Sequence, residues 1–398
     1  MNDSKLRAWW WHRQGLDGSL RGKRPVEVLE RSGWARSVGG VGPYLTLFSR
    51  AGTSREAADA AVAKLEIHEL PAARGCTYVL PSRDFALGLT VGAQFAGAEM
   101  KVASKLGVTE KEIEKLCDAV LKALDDGEPR DPDAIREATG KASRSLGEEG
   151  KKKGVTTTLP IALGRLQARG EIRRVPVNGR LDQQRYSYVR WKGNPLSSYK
   201  ASAGETFTDL ARRFFRWVGP ATLKELQWFS ALGVKAAKEA VAPLGLVPAE
   251  DGSDRLLLPE DAEAFRAFEP PDEARYSLVS SLDPISATRR DVRSLLDAKD
   301  LERELFIDSK SRPAGTLSDL PSHAIIDRGR VVGLWEYDPD RSAIVWGIFG
   351  VKKSKALQMA VEETEAYVRD QLGDARSFSL DSPKSRRPRI EAIGKMRL

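Results

Sequence analysis

An α+β fold is predicted from three observations on the 398-residue sequence. Apolar residues recur at helical spacing in short segments with clear start and stop signals. A unit of short helices followed by a hairpin recurs along the chain. From Tyr276 the texture changes to strands and one long helix, the mark of a separate C-terminal α+β domain. At roughly 150 residues per domain, the length suggests about two to three domains.

The clearest copy of the unit spans residues 105–195. Thr109-Glu110-Lys111-Glu112 has the form of a capping box, and Ile113, Leu116, Val120 and Leu124 form one helical face that ends at Asp125-Asp126-Gly127. A second helix fits Asp131 to Thr139, stopped by Gly140. A third begins at Thr158-Leu159-Pro160, buries Leu163 and Leu166, and ends at Gly170. Glu171 to Val177 and Gln184 to Arg190 read as strands joined at Asn178-Gly179, a favoured hairpin turn. Short helices followed by a basic hairpin predict a winged helix-turn-helix.

A second copy covers 204–270, with a helix from Thr206 to Trp217, a Gly219-Pro220 break and a capping box at Thr222 to Glu225. A helix from Val234 to Ala242 and a turn at Glu250 to Ser253 before Leu256 complete it. A weaker, degenerate copy lies within 1–100, where Thr53 to Glu56 caps a helix running to Leu65 and Cys76 to Leu80 supplies a strand. The C-terminal domain, 273–398, carries strands at Ser277 to Ser281, His323 to Asp327, Val331 to Tyr337 and Ala343 to Phe349. Its long helix runs from Ser354 to Leu372. Serial units of this kind predict an extended scaffold with one shared, basic, concave face.

The positive charge is concentrated. Twelve Lys and Arg stand against four acids between Lys141 and Arg190, an excess equal to the net charge of +8 of the whole chain. A basic stripe on a near-neutral body suggests a polyanion partner, although a solvated face is the bland alternative. Lys151, Lys152 and Lys153 precede the third helix of the unit, where cations oppose the helix dipole and suit phosphate contacts instead. With Thr156, Thr157, Arg165, Arg173 and Arg174 they form the predicted DNA-binding set of this segment.

Composition also excludes classes of function. Two cysteines, Cys76 and Cys117, make neither a disulfide framework nor a structural zinc site, which needs about four ligands, and suggest a reducing compartment. Three histidines make a histidine metal cluster improbable, so no metal and no cofactor are expected. His68-Glu69 begins like a zinc-protease motif, but Ala72 stands where the second histidine belongs. Met1 to Gln14 has no cleavable apolar run, and no stretch approaches the roughly 20 apolar residues of a membrane span. Gly39-Gly40-Val41-Gly42 reads as a tight turn rather than a phosphate loop. Trp9, Trp10 and Trp11 fit a core helix, with base stacking as the alternative.

Several separated motifs then resemble one family. Arg13-Gln14-Gly15-Leu16, the run Pro43 to Arg50, Leu80 to Phe85, Leu282-Asp283-Pro284 with Arg289-Arg290, and His323 to Gly333 occur in its order. Together they resemble the bacterial winged-helix DNA glycosylases of the crosslink-repair, AlkZ-like family. The resemblance implies a C-shaped, monomeric, cytoplasmic and nucleoid-associated protein that binds double-stranded DNA. It also implies hydrolysis of the N-glycosidic bond of N7-alkylated guanine. Because that base is already cationic and leaves readily, such an enzyme mainly positions a water and stabilises a cationic sugar.

The family carries a Gln-Φ-Gln or Gln-Φ-Asp motif upstream of the Pro-Tyr-Leu run. Here Ser32, Gly33 and Trp34 occupy those positions, and no Gln or Asp occurs from Gly18 to Ala58. None of the three supplies a carboxylate or side-chain amide. His12 and Gln14 are the candidate replacements, with packing or capping by Gln14 as the alternative. Glu27 and Glu30 are expected to be surface ion pairs. Arg50, Arg74, Arg289 and Arg290 match positions conspicuous in the family, and divide between DNA phosphate contacts and structural salt bridges. Two functions stay open: a glycosylase with a rearranged site, and a non-catalytic winged-helix module for damage recognition or regulation.

Overall fold

The computed structural model describes residues 3–183, 185–307 and 310–396. Gln184, the expected start of a wing strand, lies outside the described residues. The chain is a mixture of helices and small antiparallel sheets in which one element order occurs three times. In the first unit, helix Pro25–Ser32 leads into strand Ala35–Arg36, helices Gly42–Ala51 and Arg55–Ala63, and the hairpin Ile67–Pro71 with Thr77–Pro81. The short strand pairs with the last one, Ala35 opposite Val79. In the second, helix Glu110–Ala123 is followed by Arg130, then Pro132–Thr139, Leu159–Ala168 and the hairpin Ile172–Pro176 with Tyr186–Arg190. Arg130 bridges to Tyr188 of the last strand. In the third, helix Ala203–Val218 is followed by Ala221, helices Leu223–Ser230 and Val234–Val241, and a hairpin whose Leu256 bridges back to Ala221.

Local chemistry explains the helix starts. Thr222 accepts from the backbone of Glu225 at 3.1 Å, and the Glu225 carboxylate returns a bond to the Thr222 N–H, so the expected box closes in both directions. Ser202 and Glu205 close another, which starts the Ala203–Val218 helix earlier than expected. Thr109 caps its helix, but the Glu112 side chain is spent on Arg144 at 2.8 Å. Thr158 is already helical, and its hydroxyl accepts from the Arg144 backbone instead of capping. A short helix, Gly147–Lys152, intervenes before it. Lys151 and Lys152 therefore sit at a helix C-terminus, where cations are favoured. This corrects the expectation that they oppose a helix dipole.

The C-terminal region forms a four-stranded sheet in the order Ala343–Ile348, Arg330–Asp338, His323–Asp327, Tyr276–Val279. Helix Lys355–Tyr367 continues into a wider turn, Val368–Leu372, matching the expected long helix. A further helix, Pro383–Gly394, capped by Ser382, and a hairpin, Glu304–Ile307 with Lys310–Pro313, were not among the expected elements.

Apolar burial shows how these parts meet. Val28, Tyr44 and Leu45 of the first unit share a core with Leu278, Trp335 and Leu357 of the C-terminal sheet and helix. Trp34, Leu70 and Leu80 share another with Phe214, Trp217 and Phe229 of the third unit. The first unit is thus clasped between the other two, whereas residues from Met100 to Tyr188 pack a core of their own. Trp9, Trp10 and Trp11 are buried, and Trp9 and Trp10 donate to the Gly219 and Pro220 carbonyls at 2.9 and 3.1 Å. They serve the core and are closed to base stacking. No helix is long and apolar enough to cross a membrane, and no three His, Cys, Asp or Glu converge as a metal site among the described residues.

Candidate functional site

A cavity of about 260 Å³ opens where the first unit, the third unit and the C-terminal region meet. Trp34, Tyr78 and Trp228 supply aromatic walls, and Arg36, Arg74 and Arg290 supply cations. Leu282, Leu320 and Phe378 add apolar surface, and Asp319 is the carboxylate at the rim.

Trp34 is aimed by the residues around it. Gly33 has φ +100°, and a Cβ there would stand 3.1 Å from the Trp217 ring, so the chain leaves helix Pro25–Ser32 by a route open to glycine. Trp34 then donates from Nε1 to Asp84 Oδ2 at 2.8 Å. The other Asp84 oxygen accepts from Arg213 Nε at 2.7 Å. Ser32 is wholly buried and spends its hydroxyl on the Val28 carbonyl at 2.9 Å. Of Ser32, Gly33 and Trp34, Trp34 alone lines the cavity.

Trp228 is the centre of a stack. The guanidinium carbon of Arg74 lies 3.5 Å from its ring centroid, and that of Arg290 lies 4.0 Å away, both within cation–π range. Arg290 is held in turn by Asp319, with Nε 2.7 Å from Oδ1. Both arginines have left-handed backbones, φ 59° and φ 53°, a conformation that costs of order 1–3 kcal/mol for a non-glycine residue. The surrounding structure holds both despite that cost. Arg36 lies over Tyr78 at 5.3 Å. Burial alone would lower the Arg36 pKa, but Tyr78 and Cys76 outweigh it and hold it above the usual arginine value.

The arrangement stacks two fixed guanidiniums on Trp228 beside the nearly buried rings of Trp34 and Tyr78. That combination suits a planar base attached to a phosphate. The carboxylate at the rim already has a guanidinium partner.

The other predicted residues separate by burial. Arg74 and Arg290 come together at this cavity, whereas Arg50 and Arg289 are wholly internal. Arg50 is fully paired with Asp283, and the Arg289 guanidinium lies 3.3 Å from the Trp10 ring centroid. Burial brings the Arg289 pKa down to about 10. These two are corrected from phosphate contacts to structural groups. Gln14 is likewise internal, donating to the Trp217 carbonyl at 2.9 Å and accepting from Arg50 at 3.0 Å. Both ends of its amide are engaged, so Gln14 packs inside the protein and has no free amide group for chemistry. His12 stacks on Phe268, with Nδ1 2.7 Å from Asp17 Oδ2, away from the cavity lining. Burial would raise the Asp17 pKa, but hydrogen bonds from His12 and Ser19 bring it to about 2.

In the basic segment, half-buried Arg165 bonds the solvent-accessible carboxylates of Glu110 and Glu114, each at 2.7 Å. Arg173 and Arg174 are half-buried over Trp191 and Tyr186. Lys151 and Lys152 are exposed with pairs to Glu148 and Glu149 at 3.9 and 3.1 Å, and Lys153 is exposed with no ion pair among the described residues. Thr156 is exposed, and Thr157 bridges to Ser145. His68 is buried, with both ring nitrogens lacking hydrogen-bond partners among the described residues, and burial takes its pKa to about 3. Sequence reasoning missed Arg36, Tyr78, Trp228 and Asp319. They come from separate segments and share no spacing that a sequence motif would carry.

A family model described as DNA glycosylase AlkZ-like matches residues 41–378. Among solved structures, the Streptomyces sahachiroi DNA glycosylase AlkZ aligns over 94% of this chain and 98% of its own, with a TM-score of 0.68 and 20% identity. A search of curated proteins gives no match.

Proposed function

Because the chain belongs to the AlkZ-like DNA glycosylase family, we propose that it binds double-stranded DNA and recognises alkylated guanine in the Trp34–Trp228 cavity without the family's motif-driven hydrolysis. The observation that carries this reading is Trp34. Placed at a motif position by the resemblance of the Pro43 to Arg50 run, it lines the cavity, yet its only side-chain polar atom donates to Asp84 and offers no base to a water. In this reading the three repeated units are winged helices, supported by their shared element order and the pairing of an early residue with the last strand. The exposed lysines at 151–153 then add phosphate contacts, and the protein works as a monomer at the bacterial nucleoid.

Asp319 favours a second reading. It is the carboxylate of the lining, and in a glycosylase it would position the water or stabilise the cationic sugar. A single-turnover assay on duplex DNA carrying N7-methylguanine, with alkaline cleavage of abasic sites, tests both. The first reading expects salt-sensitive binding and abasic product no faster than in protein-free DNA. Faster product that is lost in Asp319→Asn overturns it in favour of the second. An absence of DNA binding at low salt overturns both.

A further inference from the structure

Phe378 and Leu380 are large apolar side chains left in solvent, 42% and 92% exposed. Isolated exposed apolar residues are ordinary, and Val177, Val234 and Met359 are such cases. These two differ because they share one tight turn and because Phe378 lines the cavity beside Trp34 and Trp228.

The turn is held rigidly. Asp381 Oδ2 accepts from the Phe378 backbone at 3.1 Å, while the Asp381 backbone donates to the Phe378 carbonyl, also at 3.1 Å. Arg389 Nη2 lies 3.4 Å from the same Asp381 oxygen. The approach to the turn lies against the glycine loop of the first unit. Val41 donates to the Arg376 carbonyl at 2.9 Å, and Ser379 donates to the Val38 carbonyl at 3.1 Å. A Cβ at Gly40 would fall 2.2 Å from the Ser377 carbonyl oxygen, so this contact requires glycine there. The Ser281 and Ser377 hydroxyls meet at 2.9 Å. Exposed Lys384 follows on the next helix.

We propose that the Phe378–Asp381 turn is a wedge that enters the base stack beside the cavity, with Leu380 filling the space vacated when a nucleotide swings toward Trp34 and Trp228. Proteins that unstack DNA insert apolar side chains such as Phe and Leu between base steps, and a base taken out of the helix leaves a gap to be filled. A rigid apolar tip beside an aromatic cavity with fixed guanidiniums meets both needs. The proposal rests on the DNA-recognition reading above.

The test uses the full chain and a duplex containing 2′-fluoro-N7-methylguanine, which resists loss of its base, with 2-aminopurine in the opposite strand facing it. Wild-type protein is expected to raise the 2-aminopurine fluorescence on binding. Leu380→Ala is expected to bind with the same salt dependence, keep the wild-type Tm and lose the rise, and Leu380→Phe is expected to retain it. Binding by wild type without a fluorescence rise, or a rise that persists in Leu380→Ala, overturns the wedge and leaves the recognition reading standing. Failure of wild type to bind the duplex at low salt overturns the recognition reading and the wedge with it.

Discussion

Arg50 and Asp283 face each other with both side chains wholly shielded from water, Nη1 and Nη2 lying 2.8 and 2.7 Å from the two carboxylate oxygens. The remaining donor, Nε, reaches the Gln14 carbonyl at 2.8 Å, and Asp283 also caps Ile285 at 3.0 Å. Three chain segments distant in sequence therefore converge on one ion pair at the joint between the first unit and the C-terminal region.

Breaking that pair from one side leaves a buried charge without its partner. Arg50→Met or Asp283→Asn is expected to cost about 3–5 kcal/mol of stability, read as a lower midpoint in thermal or urea unfolding. At a temperature where Asp283→Asn remains folded, the salt dependence of its DNA binding should match wild type. A changed slope would return Arg50 to the set of phosphate contacts.

Arg74 allows strain and recognition to be separated. Its left-handed backbone suits glycine, while its guanidinium lies on Trp228. Arg74→Gly removes the cation and relieves the backbone, so stability should stay within about 1 kcal/mol of wild type. Affinity for DNA should fall. Trp228→Leu removes the ring on which the Arg74 and Arg290 guanidiniums are stacked, so affinity should fall in that variant as well. A Kd unchanged in both variants would move recognition away from this cavity.

The sequence made helix starts legible where the chemistry is local. The reciprocal bonds of Thr222 and Glu225 depend on residues three apart and can be read from one turn of chain, whereas in the Thr53 to Glu56 stretch the cap falls one residue on, at Ser54, which accepts from the Ala57 N–H at 3.1 Å. The bridges at Arg130 and Ala221 are single residues with no periodicity, so the early strand of each unit stayed hidden. Part of the charge pairing was hidden for a related reason. Arg144, Arg165 and Arg169 are matched by Glu112 and Glu114, which lie upstream of the basic run and meet it only after folding. The cavity is the extreme case, since Trp34, Arg74, Trp228, Arg290 and Asp319 are neighbours only in space.

The lysines at 151–153 are among the exposed cations of the basic segment, and the acids paired with Lys151 and Lys152, Glu148 and Glu149, are weak partners at the surface. Replacing Lys151, Lys152 and Lys153 with Ala should weaken binding to all DNA sequences alike. The slope of log K against log salt should flatten by up to about 0.9 per lysine that meets a phosphate. An unchanged slope in a fluorescence-anisotropy titration would remove this segment from the DNA interface.

His323 makes folding itself sensitive to acid. Its Nδ1 accepts from the Ser281 backbone N–H at 3.0 Å, so Nε2 must carry the proton and donate to the Ala375 carbonyl at 2.8 Å. A second proton has no acceptor facing Nδ1, and burial depresses the pKa to about 4. Between about pH 6.5 and about 4 the unfolded chain binds a proton that the folded chain refuses, so stability rises with pH across this window. The contribution is fully present above about pH 6.5 and is lost as the pH falls toward 4. Buried His68, with its pKa near 3, acts in the same direction. Buried Glu336, whose pKa burial raises to about 7, takes up a proton in the folded chain over the same range and acts in the opposite direction, so the His323 contribution is read from the comparison. Urea midpoints from pH 7.5 down to 4.5 should decline less steeply in His323→Gln than in wild type, at a cost in stability at neutral pH. An unchanged decline in that variant, or a nitrogen NMR signature of the Nδ1–H tautomer at pH 7, would remove His323 as its source.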